Sequence, residues 1–391
     1  MTERIYYNDP YARSFDARVV KVQTVAGRTA VMLDRTAFYP TSGGQPFDTG
    51  TLNAARVVEV VEDDDGQMQH VIEGSLAEGE AVSGAIDWDR RFDHMQQHTG
   101  QHMLSAAFDR LLKVRTESFH LGTASATIDL AREVSPGEIA RAETDANAVI
   151  WEDRPVAIRY ADANEAAKLP LRKESAREGV LRLIDIEGYD ISACGGTHVS
   201  RTGAIGTIAV ASWEKFRGGS RIEFVCGGRA LTAFHLLRDA TAAGVRLLSV
   251  LPEEMPAAIE RAQAELKDAK RRNKDLQAQL ASHEATALAD SEYGSRVVVR
   301  ALEGWDQTGL KSIAMAIAAR EGYTAVLIGV PSPSAVVVAR GTGSAHDASA
   351  VLRQLTARFG GKGGGRPELA QGGGLQGDPD EILAFAKTLL M

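Results

Sequence analysis

The stretch FDHMQQHTGQHMLSAAF, residues 92 to 108, decides how the chain is read, because it sets His98 and His102 four apart in what reads as one helix. Residues i and i+4 share a helix face one turn apart, so two imidazoles at that spacing can converge on one ion. The stretch CGGTHV, residues 194 to 199, repeats the spacing with Cys194 and His198 in a glycine-bearing loop. Three imidazole nitrogens and one thiolate suit zinc, since these are its usual partners and four ligands complete its tetrahedron. One zinc per chain is therefore expected, held by His98, His102, Cys194 and His198. Leu104, Ala107, Phe108 and Leu111 define an apolar stripe for the core, and the two histidines project away from its centre. A metalloprotease is excluded, because HTGQH puts Thr99 where HExxH needs its glutamate general base.

At 391 residues the chain exceeds one ordinary domain, and two or three units are expected. No apolar run approaches the roughly 18 residues of a membrane span, and MTERIYYNDP lacks a signal-peptide core, so no membrane association is expected. Two cysteines, one of them a metal ligand, cannot build a disulfide framework, which fits a reducing cytoplasm. Cys226, in the strand-like run RIEFVC, reads as a small buried hydrophobe. The net charge of -8 argues against nucleic-acid binding by bulk attraction but leaves room for a local basic patch.

The first 88 residues read as β. ARVVKV, TAVMLD, ARVVEVVE, MQHVIE and AVSGAIDW are short β-branched runs separated by turn residues, and they suggest a small barrel. Within them YPTSGGQP demands a shaped loop rather than a strand, an ordinary hairpin turn being the plainer alternative. From 89 to 246 the pattern is mixed α/β: the histidine helix, a hairpin turning near Gly122, and a second helix with Ser135 as N-cap, Pro136 at the first helical position and Glu138 completing a capping box. Strand, turn, strand and metal loop follow in VLRLIDIEGYDISACGGTH. Residues 247 to 293 form a charged helical connector in which Ile259, Ala262, Leu266, Ala269, Asn273, Leu276 and Leu280 keep a seven-residue period, open either to packing on its own chain or to a dimer seam. The cations Lys267, Lys270, Arg271, Arg272 and Lys274 read as a solvated face, with a patch facing a nucleic acid as the alternative. From 294 to 391 strands and helices alternate around a glycine loop over 359 to 377, which carries 9 glycines with Lys362 and Arg366 among them and is suited to anions. The fold class is thus α+β multidomain, in four parts: 1–88 β-barrel, 89–246 zinc-binding domain, 247–293 connector, and 294–391 C-terminal α/β glycine-rich domain.

HTGQH in this helix, followed by CGGTHV, resembles the editing domain of alanyl-tRNA synthetases and the free-standing alanyl-tRNA editing proteins. FYPTSGGQPFDTG (38 to 50), SRIEFVCGGRAL (220 to 231) and GGKGGGRPELAQGGG (360 to 374), the last similar to the DHH-associated C-terminal module, extend the resemblance over most of the chain. It implies hydrolysis of the ester joining serine, and in a second reading glycine, to the terminal ribose of alanine tRNA. It also implies that the loop with Thr41, Gly43, Gly44 and Gln45 reaches into the editing pocket, and that the C-terminal module, with Lys362 and Arg366, binds tRNA. Thr41 and Gln45 are expected beside the amino-acid side chain. Asp93 and His94 are the nearest further candidates for proton transfer. Only about 90 residues precede the metal motifs, so no aminoacylation domain is expected. The alternatives are a non-catalytic zinc-containing tRNA-binding protein, or an editing deacylase for another tRNA such as Ser-tRNA(Thr). A homodimer through the connector or the C-terminal module is an open expectation.

Overall fold

The computed structural model describes residues 2–25, 27–172, 179–292 and 294–391. The chain divides into two compact units, Met1–Ala243 and Gly244–Met391. The architecture is mixed α+β, and the expected barrel is present as a closed ring of six antiparallel strands in the order Ser14–Val25, Arg28–Leu33, Met68–Glu73, Ala55–Glu62, Gly50–Leu52, Ala81–Ile86. Its interior is filled by Val19, Val31, Leu33, Phe38, Leu52, Val57, Val60 and Met68. Among the described residues no helix is long and apolar enough to cross a membrane.

Helix α1, Trp88–Leu112, starts where the barrel ends, capped by the Asp87 carboxylate, which accepts from Arg90 N, and closed by Lys113 in the left-handed region. It is buried almost all round between His94 and Phe108. Met95, Met103, Leu104 and Phe108 pack in one core with Ile128, Ile222 and Phe224 from a four-stranded sheet and with Ile139 and Ile150 from helix α2, Pro136–Trp151. Leu111, expected in the apolar stripe, is instead exposed, because the helix end outruns this core. The polar residues of α1 tolerate burial because they are paired. Gln97 makes two bonds to the backbone of Cys226, donating to its carbonyl (3.1 Å) and accepting from its N–H (2.8 Å), so one side-chain amide caps the end of the strand Gly219–Cys226. Cys226 itself is buried in the core as read from the sequence. Helix α2 carries the anticipated capping box of Ser135 and Glu138 with Pro136 in the first turn. A second, three-stranded sheet, Val156–Ala161, Leu181–Ile186 and Asp190–Ala193, delivers the chain into the loop that begins at Cys194.

The second unit is a three-layer sandwich. Its sheet runs Val297–Glu303, Thr324–Val330, Ser334–Arg340, Leu369–Leu375, Lys362–Arg366, with only the first pair parallel. Alternate residues serve opposite cores: Val326 and Ile328 face helices Ala348–Phe359 and Pro379–Thr388, and Ala325 and Leu327 face helix Gln307–Ala318. The glycine stretch expected as a loop is a hairpin, Lys362–Arg366 paired with Leu369–Leu375. Glycine has no side chain to reveal a period of two, which hides such strands from pattern reading. In helix Met255–Ser291 the seven-residue stripe does not pack on its own unit: Ile259, Leu266, Leu276 and Leu280 are exposed, and the buried residues are Ala258, Ala281, Ala285 and Ala289.

Arg91 joins barrel and helix. Both members of its ion pair with Asp48 are fully buried, and the guanidinium also donates to the carbonyls of Pro10 (2.9 Å) and Ala37 (2.6 Å). Asp48 in turn accepts from Tyr39 N at 2.6 Å, which sets the path of the chain entering the loop at Thr41. Arg91→Met would strand a buried carboxylate, so a loss of about 3–5 kcal/mol is expected, read as a lowered midpoint in chemical denaturation. An unchanged midpoint would show that the pair is not a determinant of stability.

Candidate metal centre

The ligand atoms of His98, His102, Cys194 and His198 all lie within 4.8 Å of one another. Cys194 Sγ is 3.4 Å from His98 Nε2 and 3.3 Å from His198 Nε2. A tetrahedral zinc with bonds of ~2.0–2.3 Å separates its ligand atoms by about 3.3–3.6 Å, so the donors fit the ion in type and the two pairs that share Cys194 match its spacing. Cys194 closes the cluster from a loop following the strand Asp190–Ala193, and Gly196 lets that loop fold flat on the helix. A Cβ on Gly196 would sit 2.2 Å from His98 Cε1, where none fits.

Each imidazole is held from behind by its other nitrogen. His98 Nδ1 donates to Gln45 Oε1 (2.8 Å), His102 Nδ1 to Asp190 Oδ2 (3.2 Å), and His198 Nδ1 faces Thr99 Oγ1 (3.2 Å). Bonds of this kind fix ring orientation and leave Nε2 for the ion. The supports are themselves anchored. Gln45 also accepts from Thr197 N (3.1 Å) and donates to Thr197 Oγ1 (2.8 Å). Asp190 is gripped by Arg172 Nε (2.7 Å) and Ser192 Oγ (2.8 Å), and Thr99 donates to Met95 O (2.8 Å) while accepting from Val199 N (3.1 Å). Arg182 Nη1 donates to the carbonyls of Cys194 (2.6 Å) and Gly196 (3.0 Å), and its Nε donates to Tyr7 O (2.9 Å), which binds the metal loop to the start of the chain.

Burial alone would raise the Cys194 thiol, but the imidazoles of His98 and His198 outweigh it and hold the thiol well below its ordinary value. Burial pushes His198 down to about 3, the charge of His98 acting the same way. His102 is also penalised by burial, yet Asp190 and Cys194 hold it above the usual histidine value. Cys194 as thiolate and His198 as neutral imidazole are in the state a metal requires of its ligands, and on His102 a metal would replace the proton that Asp190 and Cys194 favour.

Two cavities meet at Cys194. One of about 290 Å³ is bounded by Tyr39, Ser42, Gly43, His98 and Gly196, the other of about 500 Å³ by Phe119, Tyr160, Arg172 and Arg182, and Tyr7, Gly43, Cys194 and Gly195 border both. The loop with Thr41 is a tight turn in which Ser42 and Gln45 bond each other's backbones around Gly43 and Gly44, at φ 52° and 82°. Such a turn needs positive φ at both central residues, hence the glycine pair. It aims Gln45 inward at His98 and Thr197. Thr41 is exposed and borders neither cavity, whereas its neighbour Ser42 borders the smaller one. Asp93 is occupied by Arg229 (2.6 Å), and His94 is buried with Nδ1 unpartnered among the described residues, burial lowering it to about 4. Gln45 as a support, Asp190 and Thr99 were not legible as such: nothing in their spacing from the ligands marks them, although Thr99 inside HTGQH was in plain view.

Cys194→Ala is expected to abolish stoichiometric zinc in metal analysis of the purified chain. Asp190→Asn and Gln45→Ala should each weaken zinc retention about 10- to 100-fold in chelator competition, with all four ligands intact. Full zinc in Cys194→Ala would remove that residue from the site.

Family models match three parts of the chain: a DHHA1 domain at residues 294–391, tRNA synthetases class II (A) at 8–90, and the threonyl and alanyl tRNA synthetase second additional domain at 181–223. The alanyl-tRNA editing protein AlaX-L of Pyrococcus horikoshii is 33% identical over 99% of this chain and 98% of its own length. The alanine–tRNA ligase of Pyrococcus abyssi is 33% identical over 95% of this chain, which spans 42% of that ligase. Among solved structures, the C-Ala domain from Aquifex aeolicus alanyl-tRNA synthetase aligns with 24% of this chain and 89% of that domain at 23% identity, with a TM-score of 0.23. An end-to-end match to AlaX-L, joined to a DHHA1 domain at the C-terminus, shows that the chain belongs to the alanyl-tRNA editing protein family, in its long form.

Proposed function

We propose that the chain is a trans-editing aminoacyl-tRNA deacylase, a hydrolase that cleaves serine, and as a second substrate glycine, from the terminal ribose of alanine tRNA. The observation that carries this reading is the buried cluster of three histidines and one cysteine in a chain similar along its whole length to a protein named for alanyl-tRNA editing. An aminoacyl ester is already activated, so positioning a water and stabilising the developing oxyanion matter more than a strong base. His98, His102, Cys194 and His198 would hold zinc, which when bound would polarise the ester carbonyl or lower the pKa of a water. The chain's own part is positional. Gln45, Asp190 and Thr99 fix the imidazoles, and Arg182 fixes the loop that separates the two cavities.

Serine exceeds alanine by one oxygen, so a pocket that admits serine cannot reject alanine by size. Discrimination must come from a polar partner left unsatisfied by alanine, a device worth roughly 10⁴–10⁵ in rate where fully developed. The turn 41–45 supplies a wall of the smaller cavity through Ser42 and Gly43, with Gly44 allowing Phe119 to approach and Gln45 acting through His98. We assign residues 1–88 and 89–246 to the barrel and the deacylase, 247–293 to a connector, and 294–391 to tRNA binding through Lys362 and Arg366, which flank an exposed edge strand. A second copy would cover the exposed stripe of the connector. Such a reaction belongs in the cytoplasm.

The deciding experiment compares hydrolysis of seryl-, glycyl- and alanyl-tRNA(Ala) by the zinc-loaded chain, with and without a chelator. Seryl-tRNA(Ala) should be cleaved far faster than alanyl-tRNA(Ala), and the chelator should abolish the difference. Cleavage of Ser-tRNA(Thr) alone would reassign the substrate, and no cleavage at all would leave a zinc-containing tRNA-binding protein. For the C-terminal unit, replacing Lys362 and Arg366 by alanine should lower the slope of log affinity against log salt by about one for each contact. An unchanged slope would place the phosphate contacts elsewhere.

A further inference from the structure

We infer that the larger cavity, of about 500 Å³, seats the terminal adenosine of the substrate, with the ring of Tyr160 as the platform on which the base stacks. This rests on the deacylase reading, since it concerns the leaving group of that reaction. The cavity opens on Cys194 and His102, so a group held there lies against the cluster. The sheet supplies a ruler. Tyr160 pairs with Arg182 across neighbouring strands, and Cys194 N donates to Arg182 O (3.1 Å) on the other side, so Cys194, Arg182 and Tyr160 form one rung. Two strand spacings are about 10 Å, room for a ribose between an ester at the cluster and a base at the tyrosine.

The residues along that rung have the chemistry of a nucleoside site. Tyr160 is 49% exposed, although its hydroxyl is tethered to Asn8 Oδ1 at 2.8 Å. An aromatic side chain pinned at its edge and left uncovered at the mouth of a cavity is a preformed stacking surface, and bases of any sequence stack on such rings. Phe119 borders the same cavity. Arg182 has its Nη2 buried and without a partner among the described residues, while its other two nitrogens are occupied by carbonyls. Arg182 is thereby held rigid between Tyr7 and the loop at Cys194, a fixed wall of the cavity rather than a mobile one. The smaller cavity, of about 290 Å³ and bordered by His98, is left for the aminoacyl group.

The test uses the full zinc-loaded chain and two stable probes: the amide analogue 3′-serylamino-3′-deoxyadenosine, and its counterpart lacking the base. Titration calorimetry should show the nucleoside probe binding more tightly than the abasic one. Tyr160→Ala should weaken the nucleoside probe about 5- to 100-fold and leave the abasic probe unchanged, while Tyr160→Phe keeps both affinities. In hydrolysis of seryl-tRNA(Ala), Tyr160→Ala should raise KM with kcat retained. Equal losses on both probes, or no loss on either, overturn the assignment, the first by showing a structural role and the second by showing no contact. Those results leave the deacylase reading standing when the wild type cleaves seryl-tRNA(Ala). If the wild type cleaves no seryl-tRNA, the deacylase reading falls and takes this inference with it.

Discussion

The hydrogen bond from His98 Nδ1 to Gln45 Oε1, 2.8 Å long and fully buried, is the contact on which the first unit turns. Gln45 belongs to the barrel, His98 to α1, and Thr197, bonded to the same amide twice, to the metal loop. Three segments distant in the sequence therefore share one side chain. Its amide has no water to fall back on, so each bond left unmade would cost about 1–3 kcal/mol. That penalty makes the docking of barrel on helix specific in a way that apolar contact alone is not. The Arg91–Asp48 pair, with Arg91 two turns before His98 on the helix and Asp48 three residues after Gln45, works in the same direction, Asp48 holding Tyr39 N and so the chain that enters the glycine turn.

A buried cluster of imidazoles and a thiolate poses an electrostatic problem that the surroundings answer locally. Burial opposes charge on every one of the four side chains, and the structure meets this with a fixed acceptor or carboxylate behind each ring rather than with solvent. The Asp190 carboxylate is the strongest example. Held by Arg172, Ser192 and His102, it stays ionised to about 2 despite its burial. A carboxylate so anchored cannot swing away, and it carries the imidazole with it. The centre is thereby organised by neutral and charged partners that themselves have no freedom to move.

What could be read from the sequence follows from range. His98 and His102 were legible because helical spacing is a local rule, and Cys194 with His198 because their residue types select a metal; the barrel strands and the α2 capping box were legible for the same local reason. Asp190, Thr99 and the supporting role of Gln45 were not, since only tertiary contact brings them behind the rings. Which residue of the turn 41–45 borders a cavity could not be read from the sequence either, because a two-residue glycine turn reverses the chain and only tertiary contact decides that Ser42 and Gly43 line the smaller cavity. In the second unit, a run of glycines concealed two strands, and an apolar seven-residue stripe on the long helix proved to face away from the core that alanines build.

These constraints separate what can vary in this site from what cannot. The four clustered side chains and their supports interlock, so a change in any one disturbs ring orientation and the packing of barrel on helix together. The cavity walls are different. Ser42 sits on a surface turn and Tyr160 on a half-exposed strand, each reached from the cluster through backbone rather than through the buried network. Substituting such residues reshapes a cavity without disturbing the side chains of the cluster. The two cavity walls can thus vary independently, on opposite sides of the loop that begins at Cys194, while the cluster between them keeps one geometry.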